Sequence, residues 1–214
     1  MGGYGLLRMP RKHSSVYSTA PEGLRTRIAG PVAARARQRR HERLFALTQL
    51  KPSMRILDVG CGALGLRALE PDLDITGLDA RHIADYPGTF IQGEATNLPF
   101  EDGAFDLVHC SSVIEHLPRA SQIAMAKEIK RVGRGYLVQT PAYSFPIEPH
   151  ALIPFAHWLP SGPRRVVWER TAVGPWEEVH LLKRHEVAEL FGHDPIAERM
   201  GPLVKSWTAV RAIP

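Results

Sequence analysis

The sequence predicts an α/β protein built on a doubly wound, mostly parallel sheet with an antiparallel closing strand. Short apolar runs alternate with helical patterns along the chain, which is typical of a parallel sheet covered on both faces. One run, Ile56–Val59, ends in a glycine-rich turn, as a buried strand does where its backbone approaches a ligand. With 214 residues, of which 44% are hydrophobic, the chain is long enough for one domain with a core.

Each predicted strand is a run of apolar or β-branched residues that ends at a polar or glycine position. The predicted strands are Arg55–Val59, Asp74–Leu78, Thr89–Gln92, Phe105–Ser111, Tyr136–Thr140, Ile196–Arg199 and Leu203–Arg211. Helical spacing together with proline and glycine boundaries predicts the helices. They run from Pro31 to about Leu50, over the short segment Leu64–Leu69, from Pro118 to Val132, and from Leu182 to Phe191.

Charge divides the chain into two predicted parts. Residues 1–50 hold ten basic and two acidic side chains, a net charge of +8, and the remaining residues hold 17 basic and 20 acidic ones, a net charge of −3. We expect a basic N-terminal extension and helix at 1–50, followed by the α/β domain at 51–214. The arginines of this first part form either a solvated helix face or a surface for an anionic partner, such as nucleic acid, a membrane surface or an acidic glycan. They cluster at Arg35, Arg37, Arg39, Arg40 and Arg43.

The segment 142–178 departs from the regular alternation of strands and helices. It contains six prolines and six Tyr, Phe or Trp residues, and no regular period is visible in it. We therefore expect an insertion without regular secondary structure. Long loops in compact domains are usually functional or disordered, and the aromatic content argues against disorder. The aromatic side chains would either line an acceptor pocket or pack as a lid over a bound ligand.

Cysteine content and hydropathy indicate a cytoplasmic protein. Cys61 and Cys110 lie in apolar surroundings and provide no disulfide framework. No uncharged apolar stretch approaches the roughly 20 residues of a membrane span, so we expect no transmembrane segment. The spacing of the histidines in and after the insertion matches no familiar ligand set, so we expect no metal site.

The turn Gly60-Cys61-Gly62-Ala63-Leu64-Gly65 matches the dinucleotide pattern G-x-G-x-x-G, and Asp79 follows at a spacing suited to a ribose. An NAD-dependent enzyme is therefore one alternative. Three further features point to a different cofactor. Asp58 precedes the first glycine by two positions, a second cluster occupies residues 93–100, and a third occupies 105–117 and ends in the letters E-H-L.

In this order and spacing, the three clusters resemble class I S-adenosylmethionine-dependent methyltransferases, of the small-molecule type with E-H-L after strand four. The resemblance is strongest over residues 51–139. It implies a Rossmann-like fold, S-adenosyl-L-methionine as cofactor, and cofactor-binding residues at the ends of successive strands. These residues are Asp58, Gly60, Cys61, Gly62, Asp79, Glu94, Ala95 and Ser111.

The resemblance also implies a role for each of these positions. Asp58 would orient the glycine loop or accept from the methionine ammonium through water. Asp79 would accept both ribose hydroxyls in charge-assisted hydrogen bonds. Glu94 and Ala95 would contact the adenine, and Ser111 would border the methionine moiety. The glycines would let the loop pass under the methionine and the ribose.

Two positions depart from the pattern of the family. Glu94 stands where most relatives have aspartate, and the third glycine is Gly65, whereas the family places it at the position of Leu64. The displaced glycine and the short helical segment after it keep a second alternative open, a non-catalytic binding protein that retains the fold. The arginines of the N-terminal part keep open a third, an RNA-modifying enzyme.

Methyl transfer requires mainly that nucleophile, methyl carbon and sulfur are held in line. A base is needed only when the acceptor must lose a proton, as a hydroxyl does. The candidates are His116, just past the fourth strand, and Glu148 with His150 in a segment that prolines stiffen. Each also has a structural interpretation, in which it bonds to the backbone or ties the insertion to the core. The expected acceptor is a small molecule, a lipid or a glycan, methylated at oxygen.

Overall fold

The computed structural model describes Arg39 and residues 42–148, 153–170 and 178–214. Seven strands lie at its centre: β1 (Arg55–Val59), β2 (Asp74–Asp79), β3 (Thr89–Gln92), β4 (Phe105–Ser111), β5 (Gly133–Pro141), β6 (Ile196–Met200) and β7 (Leu203–Arg211). They form one sheet in the order β3-β2-β1-β4-β5-β7-β6.

The sheet combines a parallel part with an antiparallel closing pair. The first five strands are parallel: β1 pairs with β2 and β4, β2 with β3, and β4 with β5. β7 then pairs antiparallel with β5, and β6 pairs antiparallel with β7. The strand order reverses at β1, and open sheets of this kind bind ligands at the carboxyl ends of the strands beside such a point. The prediction of a doubly wound, mostly parallel, Rossmann-like sheet is confirmed.

Strand bounds follow the apolar runs closely, with one informative exception. β1, β3, β4 and β7 have the predicted bounds, whereas β5 begins at Gly133 and not at Tyr136. A Cβ on Gly133 would lie 2.6 Å from the Gly135 carbonyl oxygen and 2.7 Å from Val108 Cγ2. Close packing therefore requires glycine at the start of this strand. Because Gly133 and Gly135 carry no apolar side chains, the apolar pattern does not show where the strand begins.

The described helices are α1 (residues 42–48), α2 (Arg119–Val132), α3 (Ser161–Arg170) and α4 (Arg184–Phe191). Gly192 ends α4 with a φ of 81°, as its position after the last apolar residue predicts. The short segment after β1 forms a single 3-10 turn at Gly65–Ala68. Among the described residues, no helix combines the length and the apolar composition needed to cross a bilayer.

The prediction that the insertion lacks regular secondary structure is wrong in its central part. A 3-10 turn at Ala156–Trp158 precedes helix α3. Pro163 lies in the first turn of α3, where proline costs no intrahelical hydrogen bond. Trp168 is the buried residue of α3, so no apolar stripe was visible in the sequence. Residues 149–152 and 171–177 of the insertion lie outside the described residues.

Apolar clusters cover the sheet on both faces. On one face, residues such as Leu57, Val108 and Val138 pack against α2 and α4. On the other face, Ile56 and Leu107 pack against α1 and the 3-10 turn after β1. Since both faces are covered, the carboxyl ends of the parallel strands remain as the place for a site.

Helix α1 is fastened to the closing strands through an arginine. Arg43 lies 3.2 Å from Glu198 Oε2 and donates to Thr208 Oγ1 at 3.0 Å. Arg43 is thus used inside the protein and is not a free member of the predicted anion-binding cluster. Of the other four arginines, Arg39 is exposed, and the remaining three lie outside the described residues.

Candidate active site

A turn with three positive-φ glycines follows β1. The φ angles are 73° at Gly60, 54° at Gly62 and 49° at Gly65, a region that L side chains rarely occupy. The Gly60 N–H donates to the Leu78 carbonyl oxygen at 2.7 Å, which joins the turn to β2. A Cβ on Gly60 would lie 2.2 Å from Val113 Cγ2. Conformation and packing therefore both require glycine at this position.

Gly62 leaves a bare stretch of backbone at the edge of the sheet. Its N–H donates to Asp79 Oδ2 at the end of β2, over 3.0 Å. A Cβ on Gly62 would meet no protein atom within 4 Å. The turn thus presents backbone next to a carboxylate, with open space above it that a ligand can fill.

Asp58 supports the turn from below. Its side chain is buried, and its Oδ2 accepts the Leu66 N–H at 2.6 Å. Its Oδ1 lies 2.7 Å from His109 Nδ1 on the neighbouring strand β4. A Cβ on Gly65 would lie 2.1 Å from Asp58 Oδ2, so the displaced third glycine makes room for this carboxylate. Of the two roles expected for Asp58, these contacts favour orientation of the loop.

Asp79 ends β2 beside the turn, and four hydrogen bonds reach its carboxylate. Gly62 donates one, and Arg81 donates three, from its N–H, Nε and Nη2. Burial alone would raise the pKa of Asp79. The hydrogen bonds from Arg81 and Gly62 outweigh burial, so the pKa lies below its ordinary value. Asp79 is therefore an ionised acceptor near neutral pH.

The Cys61 side chain points into the protein. It is buried, and a Cβ on Gly77 would lie 2.8 Å from its Sγ. Burial, followed by the negative charges of Asp58 and Asp79, raises the pKa of the thiol to about 12. Cys61 therefore faces the predicted cofactor site through its backbone and not through its sulfur.

The loop after β3 holds the predicted adenine contacts. Glu94 is exposed, whereas Ala95 is half-buried and packs against the core. The Gly93 N–H donates to the Asp79 carbonyl oxygen at 3.0 Å, so this loop begins beside the β2 carboxylate. The structure thus brings Glu94 and Ala95 to the same edge of the sheet as the glycine turn.

Arg131 and Glu128 of α2 clamp the far side of this loop. Glu128 Oε2 accepts the Leu98 N–H at 2.8 Å. Arg131 donates to the carbonyl oxygens of Leu98 and Phe100 and to both oxygens of Glu128. The hydrogen bond from Arg131 is the main cause of a lowered pKa of Glu128. The clamp fixes the backbone that follows the predicted adenine contacts.

Ser111 lies at the tip of β4, exposed beside β5. Its hydroxyl donates to Gln139 Oε1 at 2.7 Å. Ser112 has a φ of 57°, and its N–H donates to the Gln139 carbonyl oxygen at 3.0 Å. The left-handed conformation at Ser112 turns the chain away from the sheet directly after β4.

The E-H-L sequence forms a 3-10 turn at Ile114–His116. Glu115 is fully buried, and its Oε2 accepts the Thr140 hydroxyl at 2.9 Å. Its carbonyl oxygen accepts the His180 N–H at 2.7 Å. His116 is half-buried at the end of the turn. Glu115 therefore anchors the turn to β5 and to the chain that returns from the insertion.

The insertion holds the other predicted catalytic residues. Glu148 is buried, and its N–H donates to the Ile153 carbonyl oxygen at 3.0 Å. Burial lowers the pKa of His157, against the opposing effects of a hydrogen bond at the Tyr143 carbonyl oxygen and of the charge of Glu148. Glu148 thus belongs to the packed base of the insertion. His150 lies outside the described residues.

Three residues that organise the site were not among the predicted site residues: His109, Glu115 and Gln139. Asp58 and His109 are register partners on adjacent strands, although 51 positions separate them in the sequence. The signal available in the sequence was a histidine inside an otherwise apolar strand, which identifies a polar contact but not its partner.

Comparison with known proteins shows what the central part of this chain is similar to. Residues 57–137 match the protein family described as "Methyltransferase domain". Cycloartenol-C-24-methyltransferase 1 of Oryza sativa subsp. japonica is 33% identical over 111 residues, which cover 44% of this chain and 32% of that protein. An uncharacterized methyltransferase of Synechocystis sp. is 29% identical over 104 residues, 44% of this chain and 49% of that protein. The chain therefore spans at most about half the length of these curated relatives.

Solved structures share the fold over most of the chain. The PH0226 protein of Pyrococcus horikoshii OT3 has a TM-score of 0.56 at 17% identity, over 89% of this chain and 90% of its own. Magnesium protoporphyrin IX methyltransferase of Synechocystis, solved with bound SAH, has a TM-score of 0.52 at 16% identity, over 92% and 91%. The matched residues 57–137 contain the glycine turn, Asp79 and the E-H-L turn. Residues 57–137 thus match a methyltransferase domain, and the chain has the fold of solved methyltransferases, one of which binds SAH.

Proposed function

We propose that this protein transfers a methyl group from S-adenosyl-L-methionine to an oxygen atom of a small-molecule, lipid or glycan acceptor. One observation carries the proposal. The bare backbone at Gly62 lies 3.0 Å from the ionised carboxylate of Asp79, inside the residues that match the methyltransferase domain. A carboxylate beside open glycine backbone suits a ligand that has vicinal hydroxyls on a flat nucleoside.

The surroundings of Asp79 fit the ribose of this cofactor. The carboxylate accepts hydrogen bonds, as ribose hydroxyls require. Its main side-chain partner is Arg81, whose side chain is 70% exposed. A bound ribose would therefore replace a solvated partner, at little cost. The open space at Gly62 has room for the ligand without a change in the backbone.

The two ends of the cofactor have proposed partners on either side of Asp79. Glu94 is exposed and would accept from the adenine amine, and the Ala95 N–H would donate to a ring nitrogen. Ser111, at the tip of β4, would border the methionine. These strand ends lie in sheet order β3-β2-β1-β4, which supports an extended ligand along the edge.

S-adenosyl-L-methionine supplies a methyl group bonded to a positively charged sulfur, which activates the carbon for displacement. The protein must hold the acceptor oxygen in line with that carbon and exclude competing water. A hydroxyl acceptor must also lose its proton, and we propose that His116 accepts it. His116 lies five residues past the end of β4, whose tip is the proposed methionine end. Glu148 and His150 stay proposed as groups of the insertion that assist on the acceptor side.

Both ends of the insertion meet at this edge, which supports a role in acceptor binding. Ala142 bridges to Leu182, and the His180 N–H donates to the Glu115 carbonyl oxygen. Phe155 and Trp158, whose rings lie 5.3 Å apart, are 54% and 44% exposed. Large apolar side chains exposed together favour an apolar acceptor or acceptor part. The rice relative is named for cycloartenol, which supports a lipid-like class, whereas the oxygen atom is proposed from His116.

Calorimetric titration tests the cofactor half of the proposal. We expect S-adenosylhomocysteine to bind with one site per chain and NAD not to bind. Gly62→Ala should weaken binding about tenfold, because its Cβ would occupy the open space over the turn. Gly192→Ala is the matched control, with positive φ and open space but at the end of α4. Binding of NAD alone, or equal affinity in both variants, would contradict the proposal.

Turnover tests the acceptor half. Methyl-labelled S-adenosylmethionine would be incubated with panels of hydroxylated lipids, small phenols and glycans, and labelled products separated by solubility. His116→Gln should lower turnover of a hydroxyl acceptor by roughly 100-fold and leave S-adenosylhomocysteine affinity unchanged. Unchanged turnover in that variant would remove His116 as the base.

A further inference from the structure

His109 is a half-buried polar residue that the proposed chemistry does not use. It lies on β4, and its side chain is 13% exposed. Its Nδ1 lies 2.7 Å from Asp58 Oδ1, a distance typical of a strong hydrogen bond to a carboxylate. We assign the proton of this contact to the ring nitrogen, with the carboxylate oxygen as the acceptor. The contact therefore selects the Nδ1–H form of the ring, whether the imidazole is neutral or protonated.

Asp58 needs such a partner because it is a buried carboxylate. Its side chain is 3% exposed. Within the described ranges it accepts two hydrogen bonds, from Leu66 N–H on Oδ2 and from His109 on Oδ1. Its negative charge raises the pKa of Cys61, after burial itself. A buried carboxylate that loses one of two donors moves toward water or toward another donor.

The second oxygen of Asp58 has no freedom to move without moving the turn. It bonds to Leu66 at 2.6 Å and lies where a Cβ on Gly65 would stand, at 2.1 Å. The turn from Gly60 to Leu66 is therefore built on the position of this carboxylate. Rotation of the Asp58 side chain would release the Leu66 N–H and shift the glycine backbone that faces the ligand space.

We propose that His109 is a positioning residue for the cofactor loop: by holding Asp58 through Nδ1, it fixes the glycine turn in the shape that receives the cofactor. His109 acts through Asp58 and does not itself contact the cofactor or the acceptor. The identity of the cofactor rests on the proposed function, whereas the effect of His109 on the shape of the turn does not.

The position of one donor atom gives a sharp test. In His109→Asn, the amide nitrogen takes nearly the place of Nδ1 and can donate to Asp58. In His109→Gln, the amide lies one methylene farther out, near the place of Nε2. In His109→Leu, the donor is absent. If the role were only to fill space, Gln and Leu would preserve it better than the smaller Asn.

Amide hydrogen exchange at Leu66, measured by NMR without ligand, reports the turn directly. We expect Leu66 to exchange at the wild-type rate in His109→Asn and at least tenfold faster in His109→Gln and His109→Leu. Val108→Ala is the control for general destabilisation, because Val108 is fully buried on the same strand but on the opposite face of the sheet from Leu66. It should lower global stability without selective loss of protection at Leu66.

S-adenosylhomocysteine affinity should follow the same order. We expect a change of less than threefold for His109→Asn and a loss of at least tenfold for His109→Gln and His109→Leu. Equal Leu66 exchange in all three variants, or an Asn variant as poor as Leu, would overturn the inference. If the unsubstituted protein bound no S-adenosylhomocysteine, the proposed function would fail, and Leu66 exchange alone would decide the role of His109.

Discussion

Substitution of Gly65 by alanine should destabilise the protein more than the same exchange at Gly192, which also has a positive φ. Gly65 has a φ of 49°, which costs a non-glycine residue roughly 1–2 kcal/mol. In addition, the new Cβ would lie 2.1 Å from Asp58 Oδ2. The carboxylate must move and give up the Leu66 N–H, a charge-assisted hydrogen bond worth roughly 1.5–3 kcal/mol. The expected loss of unfolding free energy is therefore about 2.5–5 kcal/mol.

Gly192→Ala isolates the first of these two terms. Its φ is 81°, and a Cβ there would meet no atom within 4 Å, so only the backbone cost of roughly 1–2 kcal/mol applies. Urea unfolding followed by tryptophan fluorescence gives both values by linear extrapolation. We expect Gly65→Ala to lose at least about 1.5 kcal/mol more than Gly192→Ala. Equal losses would show that Asp58 does not support the turn as described.

Three further predictions concern the same edge of the sheet. Because the pKa of Asp79 is lowered on folding, its stabilising effect is complete above the ordinary value of 3.8 and is lost as pH falls below it. In Asp79→Asn, the free energy of unfolding should therefore depend less on pH below that value, as urea midpoints measured at several pH values would show. The Cys61 thiol, with a pKa of about 12 against 9.0, has about a thousandfold less thiolate than an ordinary cysteine. It should react with a disulfide reagent only on unfolding, and rapid labelling of the folded protein would contradict its burial. Arg131→Met should speed amide exchange at Leu98 and Phe100 while β1 keeps its protection, and unchanged exchange at both positions would refute the clamp.

Much of the sheet could be predicted because each strand ends where its apolar run ends. The apolar residues of Phe105–Ser111 are buried and lie on both faces of the strand, so the pattern and the strand coincide. α3 was missed because Trp168 is its buried residue, and a single buried position produces no helical periodicity in the sequence. β5 began earlier than expected because Gly133 packs too closely for a side chain. The local hydrophobic pattern predicts an element correctly where its burial is regular. It fails where residues distant in the sequence decide the packing.

The residues of the site also divide into those that the sequence predicts and those that it does not. Gly60, Gly62 and Asp79 lie at or shortly after the ends of strands, so their place at the edge of the sheet was predictable from order along the chain. The contact between Asp58 and His109 depends on register between two strands that are far apart in sequence. Glu115 and His116 stand side by side in one motif, and only burial shows that Glu115 is the anchor.

The two ends of the insertion are held together by the bridge between Ala142 and Leu182 and by the bond at the Glu115 carbonyl oxygen, and this has an evolutionary consequence. Because the chain leaves and re-enters the sheet at adjacent points, whatever lies between them can lengthen or shorten without disturbing the strands. Closing a loop of twice the length costs only about 0.6 kcal/mol more. The segment between Ala142 and Leu182 can therefore change in length without a change in the sheet. If the insertion binds the acceptor as proposed, acceptor choice can change through its length without a change at Gly62 or Asp79.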